Sequence, residues 1–238
     1  MGDTSRSQTV STKLHQIAKQ ATVYPETVFT TLAHHMDIGF LHEAQRRISK
    51  KSAPGVDGVT SAQYSKNLEE NLKDLHERLR KGQYKAPPVV RVWIEKGDGK
   101  MRPIGKPAYE DKIVQRAVEM LLSAIYETIF HDFSYGFRKG RSQHEAIHEL
   151  REKCFEIRAS RIISADITGL FDNIGHRHLV DIIKQKVNDG SLLRLIGKWL
   201  NAGVMEQGAV KYPEIGTPQG GVMTPLTQKV TLYFGACR

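Results

Sequence analysis

Cysteine is scarce in this chain. The two present, Cys154 and Cys237, lie far apart in 238 residues. That excludes a disulfide framework and a cysteine-built zinc site, and a reducing compartment, the cytoplasm, is the expected setting. No apolar stretch approaches the ~18 residues a membrane span needs. The opening Met1-Gly2-Asp3-Thr4-Ser5-Arg6 has no apolar signal core, and Arg6 stands where a myristoylation pattern needs Ser or Thr. Internal repeats and low-complexity tracts are also missing. Acid is in short supply relative to base: 26 Asp and Glu face 35 Lys and Arg, a formal charge of +9. That excess points to a polyanionic partner, nucleic acid first, held through salt-sensitive phosphate contacts.

Residues 1–10 are polar and expected to fray. Residues 11–50 carry a helical pattern broken near Pro25 and Gly39, and 50–58 form a basic loop rich in Pro and Gly. Thr60 or Ser61 can cap a helix whose face is Tyr64, Leu68, Leu72, Leu75 and Leu79, ended by Gly82. Residues 89–95 and 101–105 read as two strands about a tight turn. Helices are expected over 110–130, 143–157, 176–187 and 192–200, with a short hairpin over 204–206 and 209–212. Residues 161–167, an Ile-rich run ending near Asp166, read as a buried strand. The mixture predicts an α+β fold with a helical, basic front half and one strand-bearing layer.

Three clusters can carry chemistry. Lys96, Lys100 and Arg102 surround the Gly-rich turn; such a hairpin grips phosphates, although an ordinary solvated turn uses the same residues. In Ser134-Tyr135-Gly136-Phe137-Arg138-Lys139-Gly140-Arg141-Ser142, aromatics alternate with cations, as in loops that stack on bases and touch phosphates. The same Tyr and Phe also suit anchoring a loop to the core. Asp166, delivered by a strand and followed by Gly-rich segments, suits a carboxylate that holds a metal against phosphates. The carbonyl of Ile167 can add a hard oxygen ligand. Asp172 can join them or simply cap a helix. A fourth match, His144-Glu145-Ala146-Ile147-His148, fits the zinc-peptidase pattern His-Glu-x-x-His, but no third ligand stands in evident register.

Five blocks in order resemble the reverse transcriptases of the group II intron maturase type. They are Ser52-Ala53-Pro54-Gly55-Val56-Asp57-Gly58; Arg102-Pro103-Ile104-Gly105-Lys106-Pro107 with Asp111-Lys112-Ile113-Val114-Gln115; the 134–142 loop; Asp166-Ile167-Thr168-Gly169-Leu170-Phe171-Asp172-Asn173-Ile174 with His176; and Gly216-Thr217-Pro218-Gln219-Gly220-Gly221-Val222. The resemblance implies a right-hand polymerase: a helical extension and basic loop over 1–60, fingers over 61–158, and the first part of a palm over 159–238. It implies DNA synthesis on an RNA template with Mg2+, or Mn2+ in its place, and intron-RNA binding that assists splicing. Partners would be intron or template RNA, a DNA primer and dNTPs, with no membrane. Asp166 would be the catalytic carboxylate and, with the Ile167 carbonyl, the metal ligand. Lys100 and Arg102 would hold the triphosphate, Phe171 would lie under the incoming sugar and select against a 2′-OH, and Gln219 would contact the nucleotide. Lys51, Tyr135, Arg138, Lys139 and Arg141 would hold the template.

The pattern departs from the family after Thr224-Pro225-Leu226. Residues 227–231 do not match its usual continuation, and residues 232–238 look foreign. No Tyr-x-Asp-Asp segment occurs in the 238 residues. The expectation is a truncated chain that does not polymerise alone, unless a second chain completes the palm. A non-catalytic RNA-binding module is the alternative.

Overall fold

The computed structural model describes residues 2–95, 97, 99–167, 169, 173–213, 215–216 and 220–235. Its first helix, α1 (Gly2–Val23), begins ahead of the expected start and runs through the segment expected to fray. Val10, Ile17 and Ala21 recur at helical spacing and are buried, and this stripe packs on α2 (Ile38–Arg46) and α5 (Tyr109–Tyr126). Between α1 and α2 lies a 3-10 turn, Ala33–His35. Asp37 caps α2, accepting the Phe40 N–H at 2.8 Å. Thr60 and Gln63 close a reciprocal capping box on the short α3 (Ser61–Tyr64), which leads into α4 (Leu68–Arg80).

Helix α5 is the axis of the fold. Its Ile113, Val114, Ala117, Leu121 and Ile125 are buried almost completely, each large aliphatic side chain contributing roughly 2 kcal/mol of transfer free energy. The sheet stands beside it. β1 (Val89–Glu95) and β2 (Met101–Lys106) pair antiparallel as the hairpin the sequence predicts, with Ile94 opposite Arg102. β3 (Val204–Glu206) lies parallel to β1 through Val89 and Val90, and β4 (Ala209–Lys211) pairs antiparallel with β3. The order is β2-β1-β3-β4. Among the described residues the further helices are α6 (Gln143–Glu156), α7 (His176–Lys184), α8 (Gly190–Leu200) and α9 (Thr224–Gly235).

One further sequence expectation fails. Residues 161–167 form no strand; Ile162, Ile163 and Ile167 are 68%, 92% and 57% exposed. A buried strand needs a neighbour to satisfy its backbone, and none of the four strands is registered against this run. Residues 227–231, where the motif pattern departs, and the described part of 232–238, read as foreign, lie on a helix, α9. Its Leu226, Thr227, Val230 and Thr231 are buried, and it packs on α7 and α5. Thr227 and Thr231 lose no hydrogen bond there, because their hydroxyls donate to carbonyls one turn back, at Met223 or Thr224 and at Thr227.

Candidate functional site

The structure draws three of the five sequence blocks together at α5, and the end of a fourth, Ile174 and His176, meets Gly216 of one of them. Lys112 is buried (6% exposed) and its ammonium donates to Ser52 Oγ at 2.8 Å and to the Ala53 carbonyl, which ties the 51–58 loop to α5. Gly55 closes this contact: a Cβ there would stand 2.4 Å from Ala108 N and 2.5 Å from Ala108 Cα. One turn on, Gln115 Oε1 accepts the Val222 N–H at 3.0 Å and so ties the Gly220-Gly221 turn to the same helix. Gly220, at φ +101°, packs against β2, where a Cβ would meet the Gly105 carbonyl oxygen at 2.7 Å. Gly216 donates to the Ile174 carbonyl at 2.8 Å, and its own carbonyl lies 2.8 Å from His176 Nε2. Thus residues 52–55, 104–115 and 220–222 meet at this helix, and residues 174–176 meet Gly216.

Beneath this junction lies a buried polar chain. The Tyr84 hydroxyl donates to Asp111 and accepts the Trp199 indole N–H at 3.0 Å. Burial pushes the Asp111 carboxyl up to about 7, against the hydrogen bond from Tyr84, and with help from the neighbouring charges of Glu110 and Asp57. Burial also raises the Tyr84 hydroxyl well above its ordinary value and lowers the Lys112 ammonium. Asp111, Gln115 and Trp199 line a small, mostly apolar cavity of about 50 Å3 with Val89, Leu179 and Met223. Gln115 and Lys112 belong to a quoted block, yet the sequence reading assigned them no role. The i, i+4 spacing of Asp111 and Gln115, which puts both on one helix face, was the available signal. For Tyr84 and Trp199, far away in sequence, nothing pointed to the contact.

The expected site residues are distributed unevenly. Arg102 lies exposed on β2, and Lys100 lies exposed just before it. Lys51 is exposed in the loop that Lys112 anchors. Asp166 and Ile167 are exposed within the unpaired run. Phe171 and Gln219, like Asp172, fall outside the described residues.

In the 134–142 loop, the two roles foreseen for its side chains divide among residues. Arg138 serves the loop itself: its side chain is 8% exposed, its Nε donates to Glu127 at 2.7 Å, and its Nη1 donates to the His131 and Ser134 carbonyls. Tyr135 donates to Glu149, with the Arg141 guanidinium 5.3 Å from its ring centroid. Lys139 is exposed. Phe137 is 78% exposed at φ +55°, a left-handed backbone uncommon for an aromatic residue. That geometry offers its ring to solvent instead of to the core.

An oxygen pair made of the Asp166 carboxylate and the Ile167 carbonyl has the hard-donor chemistry of a divalent cation site. Two donors supply only part of an octahedral shell, and among the described residues no group of three His, Cys, Asp or Glu side chains could hold a metal. The zinc-peptidase pattern gains nothing: His144 and His148 are exposed on α6, and the nearest acidic partner of His148 is Glu152 at 3.5 Å. Replacing both histidines with alanine is expected to leave the melting temperature within about 1 °C, since surface substitutions usually stay within ±0.5 kcal/mol. Elemental analysis of the parent chain is expected to find no stoichiometric zinc; one zinc per chain, lost in the double variant, would revive that chemistry.

Comparison with known proteins completes the description. A family model described as reverse transcriptase (RNA-dependent DNA polymerase) matches residues 94–234. The match therefore extends through α9, including residues 227–231, where the motif pattern departs. "Protein YkfC" of Escherichia coli (strain K12) is 39% identical over 199 residues, which cover 81% of this chain and 52% of that protein. "Group II intron-encoded protein LtrA" of Lactococcus lactis subsp. cremoris is 34% identical over 225 residues, covering 92% of this chain and 37% of that protein. The chain thus spans about half of one relative's length and little more than a third of the other's. Among solved structures, a chain of the "Partial Cas6-RT-Cas1--Cas2 complex" matches 82% of this chain with a TM-score of 0.52 at 23% identity. That likeness speaks to the fold alone.

Proposed function

We propose that this chain, which belongs to the reverse transcriptase (RNA-dependent DNA polymerase) family, carries the fingers and the first part of the palm of a group II intron-type enzyme. On this reading it works in the cytoplasm and binds intron and template RNA. The observation that carries the reading is the convergence at the start of α5. Lys112 and Gln115 hold the 51–58 loop and the Gly220-Gly221 turn on one helix, beside a hairpin that presents Arg102. Phosphoryl transfer depends mostly on positioning and charge stabilisation, and a junction that fixes a basic loop, a cationic hairpin and a Gly-rich turn on one helix would supply that positioning.

Within it, Lys100 and Arg102 would neutralise an incoming triphosphate, and Phe171 and Gln219 would meet its sugar. Lys51, Lys139, Arg141 and the rings of Tyr135 and Phe137 would lie along RNA, with Arg138 holding their loop in shape. Asp166 and the Ile167 carbonyl would hold Mg2+, or Mn2+ in its place. A divalent ion so bound supplies neutralisation of the phosphate charge that develops during transfer. The exposed Ile162, Ile163 and Ile167 mark a face that a complete palm would cover, whether from the same polypeptide or from a second chain.

The 238 residues contain no Tyr-x-Asp-Asp segment. The chain alone is therefore expected to bind RNA with steep salt dependence and to extend no primer. The experiment is primer extension on an RNA template with dNTPs and Mg2+, run beside RNA binding with the same preparation. Extension that disappears in Asp166→Ala would overturn the prediction of inactivity. Failure to bind RNA at about 0.1 M salt would overturn the RNA reading itself, since nonspecific affinity for nucleic acid persists at micromolar concentrations there.

A further inference from the structure

A second basic feature lies away from the α5 junction. A cleft of about 550 Å3 opens between the 3-10 turn 33–35, the end of α4 and the start of α8. His34, His76, Arg80, Arg194 and Lys198 all line it, and among the described residues no carboxylate does. Its floor is apolar, with Met36, Leu79, Leu195 and Tyr84 among the lining residues.

Two of the cations are held by neutral acceptors. Lys198 donates to the carbonyls of Gly82 (3.1 Å) and Tyr84, so its position is fixed while its charge stays unneutralised. Arg194 reaches Ser191 Oγ at 3.1 Å, a neutral acceptor. Arg80 and Arg194 are both exposed at the rim. The nearby carboxylates are committed elsewhere. Asp189 is buried (5% exposed) and accepts four backbone N–H groups, from Leu32, Ala33, Ser191 and Leu192, which joins the 3-10 turn to α8 and builds the cleft wall. Asp37, whose field His76 shares, is paired with Lys13 at 2.5 Å. Glu77, whose field Arg80 shares, is paired with Lys81 at 2.6 Å, so an anion at the rim would meet a net positive charge.

We propose that this cleft binds the sugar–phosphate backbone of RNA, with phosphates at the cationic rim and a nucleoside against the apolar floor. The inference rests on the RNA-binding reading above and adds a second point of contact to it. Guanidinium forks at a rim suit phosphodiester oxygens, and a cleft of this volume accommodates a ligand of nucleotide size.

The test is a fluorescence-anisotropy titration of a labelled RNA hairpin against the full chain and against R80Q/R194Q, between about 50 and 200 mM KCl. Loss of two phosphate contacts is expected to weaken binding about tenfold near 0.1 M salt and to flatten the log–log salt slope by about 1 to 2. R80K/R194K, which keeps the charge, is expected to recover the slope, and this separates lost phosphate contacts from a folding defect. Tight binding by the parent chain that the Gln variant reproduces in affinity and slope would overturn the cleft and leave the RNA reading standing. No RNA binding by the parent chain would overturn both. Tripolyphosphate that raises the melting temperature of the parent but not of R80Q/R194Q, with RNA binding equal in the two, would assign the cleft to a small anion and overturn the proposal.

Discussion

Gly55→Val is expected to lower the melting temperature by about 10 °C, one of the two largest effects foreseen here. The added Cβ would stand 2.4 to 2.6 Å from Ala108 N, Ala108 Cα and the Pro107 carbonyl carbon. These are backbone atoms at the entrance to α5, the most buried helix, and they cannot swing aside like the end of a flexible side chain. Overpacking of this kind costs about 1–3 kcal/mol. Relief by moving the loop costs more, because Lys112 would lose the Ser52 hydroxyl and the Ala53 carbonyl and leave a buried ammonium short of acceptors, about 1–3 kcal/mol again. A total of about 2–6 kcal/mol corresponds to roughly 10 °C for a chain of this size. Gly58→Ala is the control. Gly58 has φ +67° and nothing within 4 Å of its Cβ position, so the alanine pays only backbone strain of about 1 kcal/mol. Thermal melts of the two variants check the argument, with trypsin cleavage at Lys50 and Lys51 reporting the loop. A Gly55→Val melt no lower than that of Gly58→Ala would show that the loop does not bear on α5.

Much of this architecture could be read from residues alone, and the failures share a cause. The β1–β2 hairpin, the Thr60 cap, α5, α6 and the β3–β4 hairpin follow from local signals: alternation, capping residues and helical spacing. The blocks at the junction were also legible, since their order matched a family pattern. What escaped depends on tertiary partners. Residues 161–167 have a strand's composition, yet composition cannot supply the neighbouring strand that would bury Ile163. The α9 segment lost its family pattern at Thr227, yet the spacing of Leu226, Val230 and the two self-satisfied threonines still suits a helix against α7. The bonds from Lys112 and Gln115 to loops about 60 and 107 residues distant have no local signature. Nor has the cleft of His34, His76, Arg80, Arg194 and Lys198, whose members come from three separate helical segments.

The second large effect concerns acid and base. Asp111→Asn is expected to stabilise the fold at pH 8 by up to about 4 kcal/mol while leaving it within about 1 kcal/mol of the parent at pH 4.5. Burial raises the Asp111 carboxyl from 3.8 to about 7 in the folded chain, whereas in the unfolded chain it titrates near its ordinary value. Below both values the group is protonated in either state and pH has no leverage. Between them the folded chain holds a proton that the unfolded chain has released, so stability falls by about 1.4 kcal/mol for each unit of rising pH. Above about 7 both forms are ionised, and the full penalty of a buried charge remains. Asparagine is neutral throughout and can still accept the Tyr84 hydroxyl through Oδ1, so the variant escapes the slope. Histidines and other carboxylates bend both curves alike, and the difference between the two proteins isolates Asp111. Melting temperatures from pH 4.5 to 8 should therefore diverge progressively and level off above pH 7. Parallel curves would mean that Asp111 is ionised at its place beneath the junction, held as a carboxylate by Tyr84.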